Sequence, residues 1–234
     1  VNLSGADLSD SNLSYVDLSG SILQGANLSG ANLSGVILKG VDLSNIDLKG
    51  VNLSGVDLSG ALLTGVDLSN AVLRGTNLSG ALLDGANLSD ADLSDANLSG
   101  VDLTQTTLTG VNLTNANLVN INLAGVDLTG AILSGTNLSN ANLTNVNLSG
   151  ADLSGAELGR ANLSGANLSD ADLTGTNLTG AILKNVDFTN TDMKRISLSG
   201  EDLTGVNFSG ADLKASDLSY ANLSGADLSQ SNLE

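Results

Sequence analysis

Ala26-Asn27-Leu28-Ser29-Gly30-Ala31-Asn32-Leu33-Ser34-Gly35 is one five-residue phrase written twice, and the rest of the chain repeats it. Counted from Val1, the sequence parses into 46 full quintets and a remnant, Ser231 to Glu234, with no insertion or deletion. A period this short and this strict marks a repeat architecture. The third position is Leu in 44 of 47 cases, the exceptions being Phe188, Met193 and Phe208. The first position is mostly Ala or Val, the second is Asn 20 times and Asp 17 times, the fourth is mostly Ser or Thr, and the fifth is most often Gly. Positions one and three are therefore expected to point inward and the other three outward.

Neither regular secondary structure holds this pattern. In an α-helix of 3.6 residues per turn, a five-residue period turns the apolar stripe by about 140° per repeat and smears it around the cylinder. In a plain strand, successive leucines would alternate between faces. Each quintet must therefore hold a short extended piece followed by a bend, with Gly, Asn or Asp in the fifth position supplying the backbone freedom.

The motif [Ala/Val]-[Asp/Asn]-Leu-[Ser/Thr]-Gly, carried from Val1 to Glu234, resembles that of the pentapeptide-repeat family. The resemblance implies an all-β fold, a right-handed quadrilateral parallel β-helix with four pentapeptides in each 20-residue coil. A single uninterrupted solenoid over residues 1–234, of about 11 to 12 coils, is then expected. Spacing within the sequence agrees with that coil length. Phe188 and Phe208 are both third-position residues 20 apart and are expected to stack; Asp152, Asp172, Asp192 and Asp212 form an acidic ladder at the same spacing, and Asn77, Asn97, Asn117 and Asn137 an amide ladder. Asn ladders are favourable because each side-chain amide can donate to the next coil.

Composition removes several chemistries. The chain has no His, Cys, Pro or Trp, and 25 acidic against 8 basic residues give a net charge of −17. Without His or Cys, the usual zinc sites and nucleophile–base pairs are missing. No apolar run is long enough to span a membrane. Asn-Leu-Ser and Asn-Leu-Thr triplets match the glycosylation pattern as a by-product of the repeat.

Departures from the consensus supply the candidate sites. Ile22, Leu62, Leu82 and Ile182 occupy the outward second position at multiples of 20 and form an expected lateral-contact seam. Asp84, Asp90, Asp92 and Asp95 crowd together, but on successive corners of a winding polygon, so a solvated edge is favoured over a calcium site. Lys194 and Lys214 share the face of the Asp152 to Asp212 ladder and are expected to offset its repulsion. Glu201 stands in an inward first position, where an unpaired carboxylate is strongly unfavourable. Lys184 is its expected partner, with Arg195 second.

No catalytic, cofactor-binding or metal residue is expected, and no cofactor. The favoured function is a non-enzymatic structural or interaction solenoid, a rigid rod, scaffold or fibre element. Its partners would be further copies of itself, joined end to end or laterally, or another protein, with no direct nucleic-acid binding and no membrane contact. Neither terminus carries a capping element, so either end-to-end joining or a longer array is expected. The alternative is an acidic rod that mimics DNA, because quinolone-resistance members of the family resemble a duplex and bind DNA gyrase. Its charge has the correct sign. Spread over a rod of about 55 Å, however, the net charge of −17 gives about one charge per 3 Å, against about 1.7 Å in duplex DNA.

Overall fold

A computed structural model describes every residue from Val1 to Glu234 and divides the chain into two compact units, Val1–Asn117 and Leu118–Glu234. The same repeat builds both. In each unit the second-position residue of a quintet pairs in parallel with the residue 20 further on: Asn2 with Ile22, Asp7 with Asn27, Asn12 with Asn32 and Asp17 with Ile37 in the first, and Asn122 with Asn142, Asp127 with Asn147, Ile132 with Asp152 and Asn137 with Glu157 in the second. Four bridged columns per unit mean four faces, and four quintets close one coil.

The bend is a β-turn. The first-position N–H donates to the third-position carbonyl of the quintet before it, as Ala161 does to Leu158 over 3.0 Å. The residue before that N–H, the fifth, has φ between 54° and 74° at every quintet except the one ending at Gln105. A turn with negative φ at its first central residue and positive φ at its second is type II, which favours Gly and then Asn at that place. The fifth position is filled accordingly. Gln105 breaks the rule, and there Gly85 donates to the Gln105 carbonyl where the pattern calls for Thr104.

In a regular quintet every N–H finds an acceptor, as Ala161 to Gly165 illustrates. Asn162 N–H bonds back to Ala141 O at 2.9 Å, Leu163 N–H forward to Ile182 O at 2.9 Å, and Gly165 N–H forward to Lys184 O at 3.0 Å. Ser164 N–H has no backbone partner and takes the Asn162 side-chain oxygen at 3.1 Å. An acceptor side chain at the second position thus spares the fourth-position amide from going unpaired, which is costly.

Inside, the leucines stack in columns, most of them fully buried, with Ala and Val between. Burying a leucine contributes about 1.5–3 kcal/mol, and nearly every quintet supplies one. Hydroxyls that intrude at the first position are satisfied by third-position carbonyls: buried Thr76 donates to Leu53 O, Thr176 to Leu153 O and Thr191 to Phe188 O.

Pairing between coils is not continuous. Bridges are missing between Ile22 and Asp42, Ile37 and Asp57, and Leu82 and Asp102 in the first unit, and between Asn177 and Ser197 and Ile182 and Asp202 in the second. Four of these five pairs set an aliphatic residue against an Asp of the next coil. The combination is not sufficient by itself, because Val72 with Asp92 and Ile132 with Asp152 keep their bridges.

Candidate interaction surface

The outer surface is made from second- and fourth-position side chains, and the second position ties them together. At Asp127, Oδ1 accepts the Thr129 N–H at 3.1 Å and the Thr129 hydroxyl at 2.6 Å. The Asn147 amide of the next coil donates to Asp127 Oδ1 at 3.2 Å and to the Thr129 hydroxyl oxygen at 2.8 Å. Asn167 then donates to Asn147 at 3.1 Å. In the first unit the column Asp57, Asn77, Asn97 and Asn117 is linked in the same way, each amide donating to the oxygen before it at 3.1 Å. The surface is therefore preorganised, and its acidity is part of the bonding.

These bonds lower carboxylate pKa values. Asp7, Asp57, Asp127 and Asp202 lie below the ordinary Asp value, first through the hydroxyls of Ser9, Ser59, Thr129 and Thr204, then through the N–H groups of the same residues. The ionised form accepts these bonds best.

The acidic ladder lies on one face, with Asp152, Asp172, Asp192 and Asp212 bridged in succession. Lys194 Nζ donates to Asp192 Oδ2 at 2.6 Å and lies 3.2 Å from Asp212 Oδ2, so one ammonium serves the last two rungs. Its own pKa is raised, first by the bond to Asp192. Lys214 forms no ion pair, contrary to the expectation that both lysines intercalate. Asp152 and Asp172 instead rely on their own turns, accepting the Ser154 and Thr174 N–H groups at 2.9 and 2.8 Å.

A spacing of 18 explains the basic residues better than a shared face does. A fourth-position side chain lies diagonally against the second-position side chain of the next coil. Lys39, Lys49, Arg74, Lys184 and Lys194 each have an Asp 18 residues ahead, at Asp57, Asp67, Asp92, Asp202 and Asp212. Arg74 Nε is 3.9 Å from Asp92, and Lys39, Lys49 and Lys184 help to lower Asp57, Asp67 and Asp202, behind the larger effect of bonds from Ser59, Ser69 and Thr204. The signal was present in the sequence, since Lys214 is the one fourth-position cation faced by an amide, Asn232.

Glu201 is a correction. It forms no ion pair with Lys184 or with Arg195. Glu201 Oε1 accepts the backbone N–H of Gly180 at 2.9 Å, and the side chain is only partly buried. The carboxylate leaves the leucine interior at the corner and takes an amide donor close at hand, which relieves the cost of burying the charge.

Phe188 and Phe208 are fully buried and their rings stack with centroids 5.4 Å apart. Ile22, Leu62 and Leu82 are about half exposed on one column of the first unit, with Asp42 interrupting them, and Ile182 is equally exposed in the second unit. Asp84, Asp90, Asp92 and Asp95 do not converge: no group of three or more acidic side chains is placed to hold a metal ion.

Four parallel-bridged faces around a leucine-filled interior define a right-handed quadrilateral β-helix. The chain belongs to the pentapeptide-repeat family: the family described as Pentapeptide repeats (8 copies) matches overlapping stretches from residues 2–40 and 26–65 through 86–123 and 121–160 to 161–200 and 196–234. Among solved structures, HetL, a pentapeptide repeat protein involved in heterocyst differentiation regulation from the cyanobacterium Nostoc sp. strain PCC 7120, is 30% identical over 98% of this chain and 89% of its own, with a TM-score of 0.36. QnrB1, a plasmid-mediated fluoroquinolone resistance protein, is 25% identical over 80% of this chain and 85% of its own, with a TM-score of 0.33. A pentapeptide repeat protein of the Arabidopsis thaliana thylakoid lumen is 31% identical over 53% of this chain and 66% of its own, with a TM-score of 0.27. No curated protein sequence matches the chain.

Proposed function

We propose that this chain is a non-enzymatic interaction scaffold, a rigid solenoid element that presents flat, hydrogen-bonded faces to other proteins or to further copies of itself. The observation that carries this reading is the interior. Leu and Ala or Val fill it almost without exposure, so chemical variety is confined to the outer second, fourth and fifth positions. Ligand sites are normally concave and lined by convergent groups. Here the outer groups diverge, face by face, and many of the polar ones are bonded to neighbours along the column.

Sedimentation and electron microscopy of the purified chain at low and high salt test it. With a net charge of −17, copies repel one another, so added salt should strengthen self-association. Ordered assemblies that grow with salt support an assembling element. A monomer under both conditions restricts the reading to a spacer, and turnover of any small substrate would sink it.

The acidic charge favours a second reading, mimicry of duplex DNA toward a topoisomerase. The carboxylates weigh against it, because 17 of the 25 acidic residues are second-position Asp, a place shared with Asn and used to bond the turn. A supercoiling assay with DNA gyrase at low salt discriminates the two. No effect is expected at a large excess of this chain; inhibition or protection that fades as salt rises would favour mimicry.

A further inference from the structure

The gap in the second unit has a centre. Pairing is intact between Asp172 and Asp192 and between Asp187 and Asn207, and is lost at the two pairs between them, Asn177 with Ser197 and Ile182 with Asp202. Those two pairs lie on adjacent faces that meet at the corner formed by Gly180 in one coil and by Gly200 and Glu201 in the next. In a regular quintet the fifth-position N–H donates forward to the fourth-position carbonyl, as Gly155 does to Thr174 at 2.9 Å. Gly180 should therefore donate to Ser199. It donates to the Glu201 carboxylate instead, at 2.9 Å.

We infer that Glu201 is a wedge that holds this corner open and makes it the place where the second unit loosens first. A carboxylate at a first position cannot stay among leucines without a partner. Turned back toward the preceding coil, it captures the Gly180 amide and stands where the Ser199 carbonyl would sit. Both flanking faces then lose their closest approach, and the Leu178, Leu183 and Asp202 amides have no backbone acceptor within bonding distance, while Asn185 N–H reaches Thr204 O only at 3.4 Å. Segments with solvent-exposed backbone groups open at low free-energy cost. The wedge thus acts as a built-in hinge line, set by one residue; the loss extends to the preceding corner, where Gly175 N–H does not reach Lys194 O, and is bounded by the bonded corners at Gly165 and Asp170 before it and Asn190 after it.

Hydrogen exchange resolved to single amides tests the inference. Leu158 and Leu163, whose amides bond to Asn177 O and Ile182 O at 2.8 and 2.9 Å, serve as closed references in the preceding coil. In the native chain, Leu178, Leu183 and Asp202 should exchange at least tenfold faster than these references. Glu201→Ala and Glu201→Val install residues that the first position normally carries, so both should fold. Each should let Gly180 turn to Ser199 and slow the three amides at least tenfold. Amides that are already as slow as Leu158 in the native chain, or that stay fast in both variants while circular dichroism shows the fold retained, overturn the wedge.

Discussion

The rings of Phe188 and Phe208 lie 8° from parallel with centroids 5.4 Å apart, because the two residues hold the same third position in successive coils and share one column of the interior. Each occupies a place that a leucine fills elsewhere. Phe208→Leu should therefore cost little, on the order of 1 kcal/mol, whereas Phe208→Ala leaves a cavity and should cost about 3–5 kcal/mol. A double-mutant cycle with Phe188→Leu, read from denaturant melts, should return a coupling of about 0.5–1.5 kcal/mol for the stacked pair. A coupling of zero would mean that the rings contribute only their buried area.

Asn147 links three coils. It accepts from Ser149 N–H at 3.3 Å and from Asn167 at 3.1 Å, and it donates to Asp127 and Thr129. Asn147→Ala removes all of these and leaves an amide to find water, so it should cost about 1–2 kcal/mol. Asn147→Asp keeps the acceptor but loses both donor bonds, and it should fall between the two. Thermal unfolding of the three proteins gives the order; equal stabilities would show that the ladder adds nothing to the backbone bonds.

Acid should act late. The carboxylates of Asp7, Asp17 and Asp127 are depressed in the folded chain from an ordinary value of 3.8, chiefly by hydroxyl and N–H donors two residues ahead. Their contribution is complete above that ordinary value and is lost as the pH falls through the lower folded values. With no His in the chain, stability should be nearly level from neutral pH down to about 4 and fall below it. Relief of the repulsion among 25 acidic groups works in the opposite direction and softens the fall. Melting midpoints taken from pH 7 to 2 would reveal it, and a drop between pH 6 and 5 would contradict this assignment.

Gly100 has φ +71° and open space where a Cβ would stand. Gly100→Ala should therefore cost only the left-handed backbone penalty, about 1–2 kcal/mol. Gly100→Asn should cost less, since Asn tolerates this conformation and already holds it at Asn140 and Asn145. If the two variants melt together, turn strain is not what selects the fifth position.

The fold was legible because it depends on period alone. Leu at the third position and Gly or Asn at the fifth specify the interior and the turn without reference to any distant residue, and the resemblance to a known family supplied the coil of four quintets. What depended on side-chain reach was not legible. The cations follow a diagonal of 18 residues, from Lys184 to Asp202 and from Lys194 to Asp212, which a search along single faces at 20 overlooks. Glu201 was expected to seek a cation and found a main-chain amide, a donor that every residue carries and no sequence pattern marks. Gln105 looked like any other fifth-position variant, yet it alone does not adopt positive φ.

The bridges that join second-position residues 20 apart also give the second unit a reading frame. Excising a whole coil between two others leaves every remaining backbone group with a partner of its own kind. Excising one quintet preserves each turn but shifts everything downstream by a quarter revolution, so a deletion of five residues between Arg195 and Glu201 would set Leu213 over Phe188 and Asn207 against Lys184. The backbone would close almost as well as before while every column of side chains changed face. Shape in this molecule is indifferent to such frameshifts; surface identity is not.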